Sequence, residues 1–243
     1  MNVKRFRMYG GPNGSGKSTL INFITENYNI GFSINADVIE AKLRNQSFIN
    51  CKDYLPKIVT NSEWNQFQSK LIEDSRFKLE AFSKITITDN ILTCKQAINS
   101  YHASFIAEFF RELLLKNKST FSFETVMSHH SKVEFLEKAK TEGFKTYLYF
   151  ICTQDPRINI QRVKNRVEKG GHAVNEDKII SRYYKCLDLL YEAFMKADRA
   201  FILDNSNQNR DLILEKKDDE IIIHNELIPD WINQYLLNKL TLE

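Results

Sequence analysis

The 243-residue chain carries 34 Lys and Arg against 31 Asp and Glu, a formal net charge of +3. So even a balance gives little support to binding nucleic acid, and 42% hydrophobic with 27% charged residues is the composition of a globular protein, not a disordered one. No apolar run approaches the roughly 20 residues that span a bilayer. The four cysteines (Cys51, Cys94, Cys152, Cys186) are scattered without a C-x-x-C pair, so they read as reduced thiols of a cytoplasmic protein, with neither a disulfide frame nor a zinc site.

In chain order, Val3 to Tyr9 reads as a first strand, entered directly and without a secretory leader. Lys4, Arg5 and Arg7 are unusual in a central strand, although long basic side chains can lay their stems on apolar surface and keep their heads wet. Gly11-Pro12-Asn13-Gly14-Ser15-Gly16-Lys17-Ser18-Thr19 follows and matches the phosphate-loop pattern G-x-x-x-x-G-K-[ST] from Gly11 to Ser18. The glycines allow a tight turn that presents several N–H groups to one anion, and the helix opening at Thr19 aims its N-terminus at the same phosphates. Lys17 supplies a point charge, and the Ser18 hydroxyl is a natural Mg²⁺ ligand.

Phe32 to Asn35 is a short strand with Asp37 just beyond it. Ligand crevices in open α/β sheets lie outside the carboxyl ends of the strands, so Asp37 is expected on the rim; it also suits the N-cap of a helix beginning at Val38. Residues 44–98 read as a helical insert, with Phe67, Leu71, Ile72 and Leu79 near helical spacing and Lys84 to Thr88 as strand or loop. This insert either covers the substrate side or is structural elaboration. Ala103 to Leu115 is a helix by its Phe105-Ile106, Phe109-Phe110, Leu113-Leu114 period. Thr120 to Phe123 is a strand that brings Glu124 and Thr125 to the rim, and Val126 to Glu142 a helix stopped by Gly143.

Lys145 to Cys152 reads as a strand buried on both faces. Asp155-Pro156 caps and opens a helix bearing Arg157, Arg162 and Arg166; Gly170-Gly171-His172 breaks it, and Asn175 starts another with Lys178 and Arg182. The pair is either a mobile cationic lid or a solvated basic hairpin. Arg199 to Asp204 is the last main strand, followed by a β-hairpin of Leu212–Leu214 with Ile221–Ile223 and a closing helix from Pro229 to Leu240.

Gly11–Thr19, Asn35-Ala36-Asp37, Phe123-Glu124-Thr125, Arg166-Val167 with Gly170-Gly171-His172-Ala173-Val174, Arg182-Tyr183 and Asp204-Asn205-Ser206 occur in an order that resembles the zeta toxin family of P-loop kinases, its chromosomal members above all. The resemblance spans most of the chain outside residues 44–98. It implies one α/β domain over residues 1–243: a P-loop kinase fold with a parallel five-stranded sheet, flanking helices, an arginine-bearing lid and the C-terminal hairpin and helix. It implies transfer of the γ-phosphoryl of ATP, or GTP in some members, to a nucleotide sugar such as UDP-N-acetylglucosamine, and a small antitoxin as protein partner.

In this likeness Lys17 and Ser18 hold phosphates and Mg²⁺, Asp37 is the catalytic base, and Glu124 and Thr125 position the sugar. Arg166 and Arg182 reach the transferring phosphoryl, with Arg162 competing for the first role, and Asn205 lies near the nucleotide base. The insert departs from shorter relatives and leaves open another acceptor (a nucleoside, another sugar, a polynucleotide end). A nucleotide-gated switch that binds a protein is the reading from a different class. No Asp ends the Tyr147–Cys152 strand, so metal binding leans on Ser18, phosphate oxygens and water, with Asp37 or Glu124 as candidates. His129, His130 and His172 lack ligand partners at metal spacing and read as a helix start and a lid hinge.

Overall fold

The computed structural model describes residues 3–72, 84–95 and 97–241. The chain forms two compact units, residues 1–30 with 122–243, and residues 31–121.

In the first unit, β1 (Arg5–Gly10) leads through the phosphate loop into α1 (Lys17–Thr25). The second unit runs through β2 (Phe32–Asn35), α2 (Ala36–Gln46), β3 (Phe48–Asn50), α3 (Asn61–Ile72), β4 (Ile85–Thr88), β5 (Ile91–Cys94) and α4 (Ser100–Lys116). The chain re-enters the first unit along β6 (Phe121–Thr125). It continues with α5 (Ser131–Thr141), β7 (Lys145–Cys152), α6 (Pro156–Glu168), α7 (Glu176–Asp188), α8 (Leu190–Lys196), β8 (Arg199–Asp204), β9 (Asp211–Lys217) and β10 (Glu220–Ile223). It closes with α9 (Asp230–Ile232), a π-helical turn (Asn233–Leu237) and α10 (Asn238–Leu240).

Strands of the first unit lie in the order β10-β9-β8-β7-β1-β6. β1 pairs with β7, and β7 with β8, in parallel; β9 and β10 are antiparallel. The sheet is mostly parallel, as expected. The strand count differs from five, because the hairpin is not an appendage: β9 pairs directly with β8 and continues the sheet. Lys216 fastens it further, its buried ammonium donating to the Phe194, Met195 and Ala197 carbonyls at the C-terminal end of α8. A cation suits the exposed carbonyls of a helix end.

The basic Arg7 in the middle of β1 is explained by the short helix beside it. At nine residues, α1 is about 13 Å long. Its Leu20 and Ile24 pack with Tyr9, Ile151 and Leu203 at the carboxyl ends of the strands. Lower on that face, Arg7 lies over the Tyr147 ring at 5.3 Å and Arg199 over Phe201 at 5.1 Å, while Tyr149 stacks between Tyr9 and Phe201. Thus β7 is buried on both faces only toward its end: Tyr147 and Tyr149 are half-buried, which corrects the two-faced burial expected along its length.

Residues 44–98 are not simply helical. They hold the three-stranded antiparallel sheet β3-β5-β4, with α3 beside it; the part of the expected helix beyond residue 72, with Leu79, lies outside the described residues. The strands arise from the alternation Ile85-Thr86-Ile87-Thr88, joined to β5 by Asp89 and Asn90, both left-handed (φ 50° and 63°). That is the two-residue turn whose twist matches an antiparallel pair. The helix after β6 begins at Ser131 rather than Val126, because Met127 takes a left-handed φ of 57° and donates its N–H to Thr125 Oγ1. In the closing segment Trp231 is core: its Nε1 donates to buried Asp204 at 2.8 Å.

Candidate active site

The phosphate loop is held from below and from the side. Gly11 has φ 142°, and a Cβ there would lie 2.0 Å from the Ile151 carbonyl oxygen; at Gly14 (φ 76°) it would lie 2.6 Å from that of Asn159. Only glycine fits these two positions. Lys17 is buried and donates to the Gly11 and Pro12 carbonyls, each at 2.9 Å, so its ammonium is already drawn back over the loop. The Ser15 amide donates to the Pro12 carbonyl, and Asn205 Nδ2 donates to the Ser15 carbonyl at 2.8 Å. The position of Asn205 follows from β8: its backbone N–H donates to the Cys152 carbonyl of β7.

A second chain of bonds reaches the loop from the arginine-bearing helices. Buried Asn159 of α6 donates from Nδ2 to the Asn13 carbonyl at 2.7 Å and accepts from Thr153 Oγ1. Tyr183 of α7 donates to the Thr153 carbonyl at 2.6 Å, and its hydroxyl is pushed up by burial. Arg182, one residue earlier, donates to Asn13 Oδ1 at 3.4 Å. Thr153 and Asn159 carry no expectation from the sequence, and Tyr183 enters there only through the Arg182-Tyr183 pair of the family likeness. A polar residue in the apolar stripe of α6 was the available signal for Asn159, since buried amides are placed to be hydrogen-bonded.

The three candidate lid arginines have different places. Arg182 lies against the phosphate loop; Arg166 Nη2 donates to the His172 carbonyl at 2.7 Å, which closes the turn between α6 and α7. Gly171 permits that approach, since a Cβ there would meet Arg166 Cγ at 2.6 Å. Arg162 Nη2 donates to the Asn207 carbonyl and lines an open groove of ≈ 1020 Å³ with Thr19 and residues 205–210. The groove walls are amides, hydroxyls and two guanidinium groups, with the Arg210 guanidinium 5.4 Å from the Phe23 ring.

At the end of β6, Ser18 Oγ donates to Glu124 Oε1 at 3.0 Å, and Thr125 fixes the turn at Met127. Asp37 lies in the second unit, in the first turn of α2. It is not the cap of that helix: Asn35 Oδ1 accepts from the Asp37 and Val38 amides, and α2 starts at Ala36. The carboxylate of Asp37 is thereby spared the capping duty expected for it. His130 stands at the start of α5 between Glu134 and Glu192, and its imidazole is pushed up by those carboxylates. Among the described residues no cysteine forms a disulfide, and no described helix is long and apolar enough to cross a membrane.

A strand, a glycine-rich loop closed on its own lysine and a helix N-terminus define a protein with a P-loop α/β fold. No family model matches the sequence. An uncharacterized protein of Haemophilus influenzae is 35% identical over 69 residues, 28% of this chain and 49% of that protein. Among solved structures, a chain of the AvrRxo1-ORF1:AvrRxo1-ORF2 complex superposes with a TM-score of 0.56 at 13% identity. The match covers 96% of this chain and 63% of that one, so this chain spans less than two thirds of that neighbour. The same complex with ATP gives a TM-score of 0.52. A chain of the PezAT chromosomal toxin–antitoxin system of Streptococcus pneumoniae gives 0.52 at 14% identity, covering all of this chain and 83% of that one. The fold implied by the zeta-toxin likeness is the fold observed.

Proposed function

We propose that this protein is an ATP-dependent kinase that moves the γ-phosphoryl of ATP to a hydroxyl of a small acceptor, a nucleotide sugar such as UDP-N-acetylglucosamine. The observation that carries the kinase reading is the phosphate loop, in which Lys17 is buried over carbonyls of its own loop and Arg182 is bonded to Asn13. The glycine positions where a Cβ would collide leave the loop amides bare for phosphate oxygens. The base of the nucleotide takes the groove lined by Arg162 and Asn205, which assigns Arg162 to the donor's base and leaves Arg166 and Arg182 as the lid pair. A fold relative solved with ATP supports the choice of donor.

In the reaction the acceptor hydroxyl oxygen bonds to the γ-phosphorus as the bond to the β–γ bridging oxygen breaks, and ADP leaves. The acceptor proton passes to the carboxylate of Asp37. Lys17, Arg166 and Arg182 hold the phosphoryl oxygens, and Thr125, with Glu124, orients the acceptor. Mg²⁺, when bound, neutralises charge on the phosphates; the Ser18 hydroxyl, a hard oxygen at the helix start, fits as one of its ligands. A toxin–antitoxin system among the fold relatives supports a small antitoxin-type protein as partner.

The test is phosphoryl transfer from labelled ATP to UDP-N-acetylglucosamine, with Asp37→Ala alongside. Transfer by the wild type is expected to fall at least ~100-fold in the variant, with ATP affinity kept. Equal transfer by the variant would remove Asp37 as base. ATP binding without transfer would exclude this sugar and direct a screen to other hydroxyl acceptors.

A further inference from the structure

β10 ends the sheet, and among the described residues it pairs with β9 alone. Its residues, Glu220-Ile221-Ile222-Ile223, are all exposed, the isoleucines by 40%, 36% and 55%. A run of isoleucine on both faces is the composition of a central strand, standing here at an edge. Edges are ordinarily blunted by Lys, Pro or a bulge, because their open N–H and C=O groups template pairing with another chain. β10 contains neither Lys nor Pro, and its register against β9 runs without a bulge. We propose that β10 pairs antiparallel with β10 of a second copy of this chain, with Ile222 against Ile222, joining the two sheets across a two-fold axis.

The backbone directions fit this register. The His224 N–H donates to the Ile213 carbonyl of β9, and Ile222 and Glu220 stand opposite Glu215 and Lys217. Hydrogen-bonded positions alternate along an antiparallel ladder, so Glu220, Ile222 and His224 turn their backbone groups toward β9, and Ile221 and Ile223 turn theirs outward. With Ile222 on the axis, Ile221 of each copy faces Ile223 of the other. Both members of that pair point outward, so each pair exchanges its N–H and C=O bonds.

The side chains fit as well. Glu220, Ile222 and His224 share the face of Glu215, where His224 Nε2 lies 3.3 Å from Glu215 Oε2. Across the axis Glu220 comes opposite the partner's His224, an acid against an imidazole, and symmetry repeats the pair at the other end. Opposite-charge pairs and β-branched pairs at directly opposed positions both favour a sheet. The second face sets Ile221 against Ile223. Centring on Ile221 would instead set Ile222 against Glu220 and Ile223 against Asp219; centring on Ile223 would set Glu220 against Glu226. Each copy has a single β10, so the contact closes at two chains. Three strands separate β10 from the neighbour of β1, which puts it about 19 Å from the strand that leads to the phosphate loop, so the loop stays open in the dimer.

The experiment is sedimentation equilibrium of the full chain from nanomolar to high-micromolar concentration, for wild type, Ile222→Lys and Ile221→Pro. The first variant places two cations on the axis. The second removes an outward N–H and spares the bonds to β9. Wild type is expected to pass from monomer to dimer, and each variant to raise the dissociation constant at least about tenfold. Both variants should keep the melting midpoint of the dilute monomer and bind a fluorescent ATP analogue as wild type does. Mild oxidation should cross-link Ile222→Cys into a covalent dimer in higher yield than Ile221→Cys, because position 222 meets its own copy. Equal yields would overturn the register. A wild type that stays monomeric throughout would overturn the proposal and leave β10 to a different protein. A dimer that neither variant weakens would place the interface elsewhere, and assembly beyond two chains would exclude the two-fold contact. Loss of analogue binding by both variants would make β10 part of the core of its own unit and overturn the proposal as well.

Discussion

The phosphate loop and the core of residues 31–121 are both tightly built, and they are built by opposite means. In the loop, polar groups hold polar groups: Lys17, Asn159 and Asn205 each donate to a backbone carbonyl of residues 11–15. In the second unit, rings hold rings. Trp64 is fully buried, edge-on to Phe105 and Phe109 with centroids 5.5 and 5.0 Å apart, and Tyr54 stacks on Phe110 at 5.0 Å. Its Nε1 donates to the Ile85 carbonyl, tying α3 to β4. Hydrogen-bonded loops demand particular residues at particular positions, because backbone groups have fixed directions. Aromatic cores demand volume, which many residue combinations supply.

The largest effect expected from this contrast is at Trp64. Trp64→Ala empties a packed site and orphans the Ile85 carbonyl, and should destabilise the protein by about 3–5 kcal/mol in urea unfolding. Amide exchange should accelerate first within residues 31–121, while the fluorescent ATP analogue still binds. Loss of analogue binding below the unfolding transition would break the distinction between the two regions.

Gly11→Ala should do the reverse. It brings a methyl group to 2.0 Å from the Ile151 carbonyl oxygen at a left-handed φ, and is expected to weaken analogue binding on the order of 100-fold, with exchange in residues 31–121 unchanged. Affinity within threefold of wild type would show that the loop relaxes more easily than its bonding implies.

The smallest effect sharpens the contrast by showing what an exposed polar contact is worth. His130 bonds Glu134 and Glu192, and these carboxylates raise its folded-state pKa above the ordinary value of about 6.5. Its contribution to stability is therefore fully present below that value and is lost as pH rises through the higher folded-state one. The difference in melting midpoint between wild type and His130→Ala should be greatest in acid and vanish in alkali. A pH-independent difference would assign the effect to packing.

Legibility followed the same division. The glycines at 11, 14 and 16 and the Lys17-Ser18 pair were readable because an anion-binding loop leaves few alternatives. Residues 44–98 read as a helical insert with Lys84 to Thr88 as strand or loop, and nothing marks the turn at Asp89-Asn90, since Phe67 and its neighbours suit a helical period and Ile-Thr alternation covers only short strands. Asp37 reads as a rim residue that also suits a cap, and the cap falls instead to Asn35, two residues earlier. Caps compete over one or two positions, and side-chain reach settles which residue wins.

By itself the sequence determined the local geometry: the phosphate loop, the strand–loop–helix frame around it and the order of elements along the first unit. These depend on residues within a few positions of one another, where glycine conformations and side-chain spacing act directly. Only the tertiary structure decided that β6 flanks β1, that Asn159 and Asn205 hold the loop from 146 and 190 residues away, and that Ser18 meets Glu124 across 106. Strand order and long-range hydrogen bonds are set by how whole elements pack, and no local pattern along the chain encodes which carboxylate arrives beside a given hydroxyl.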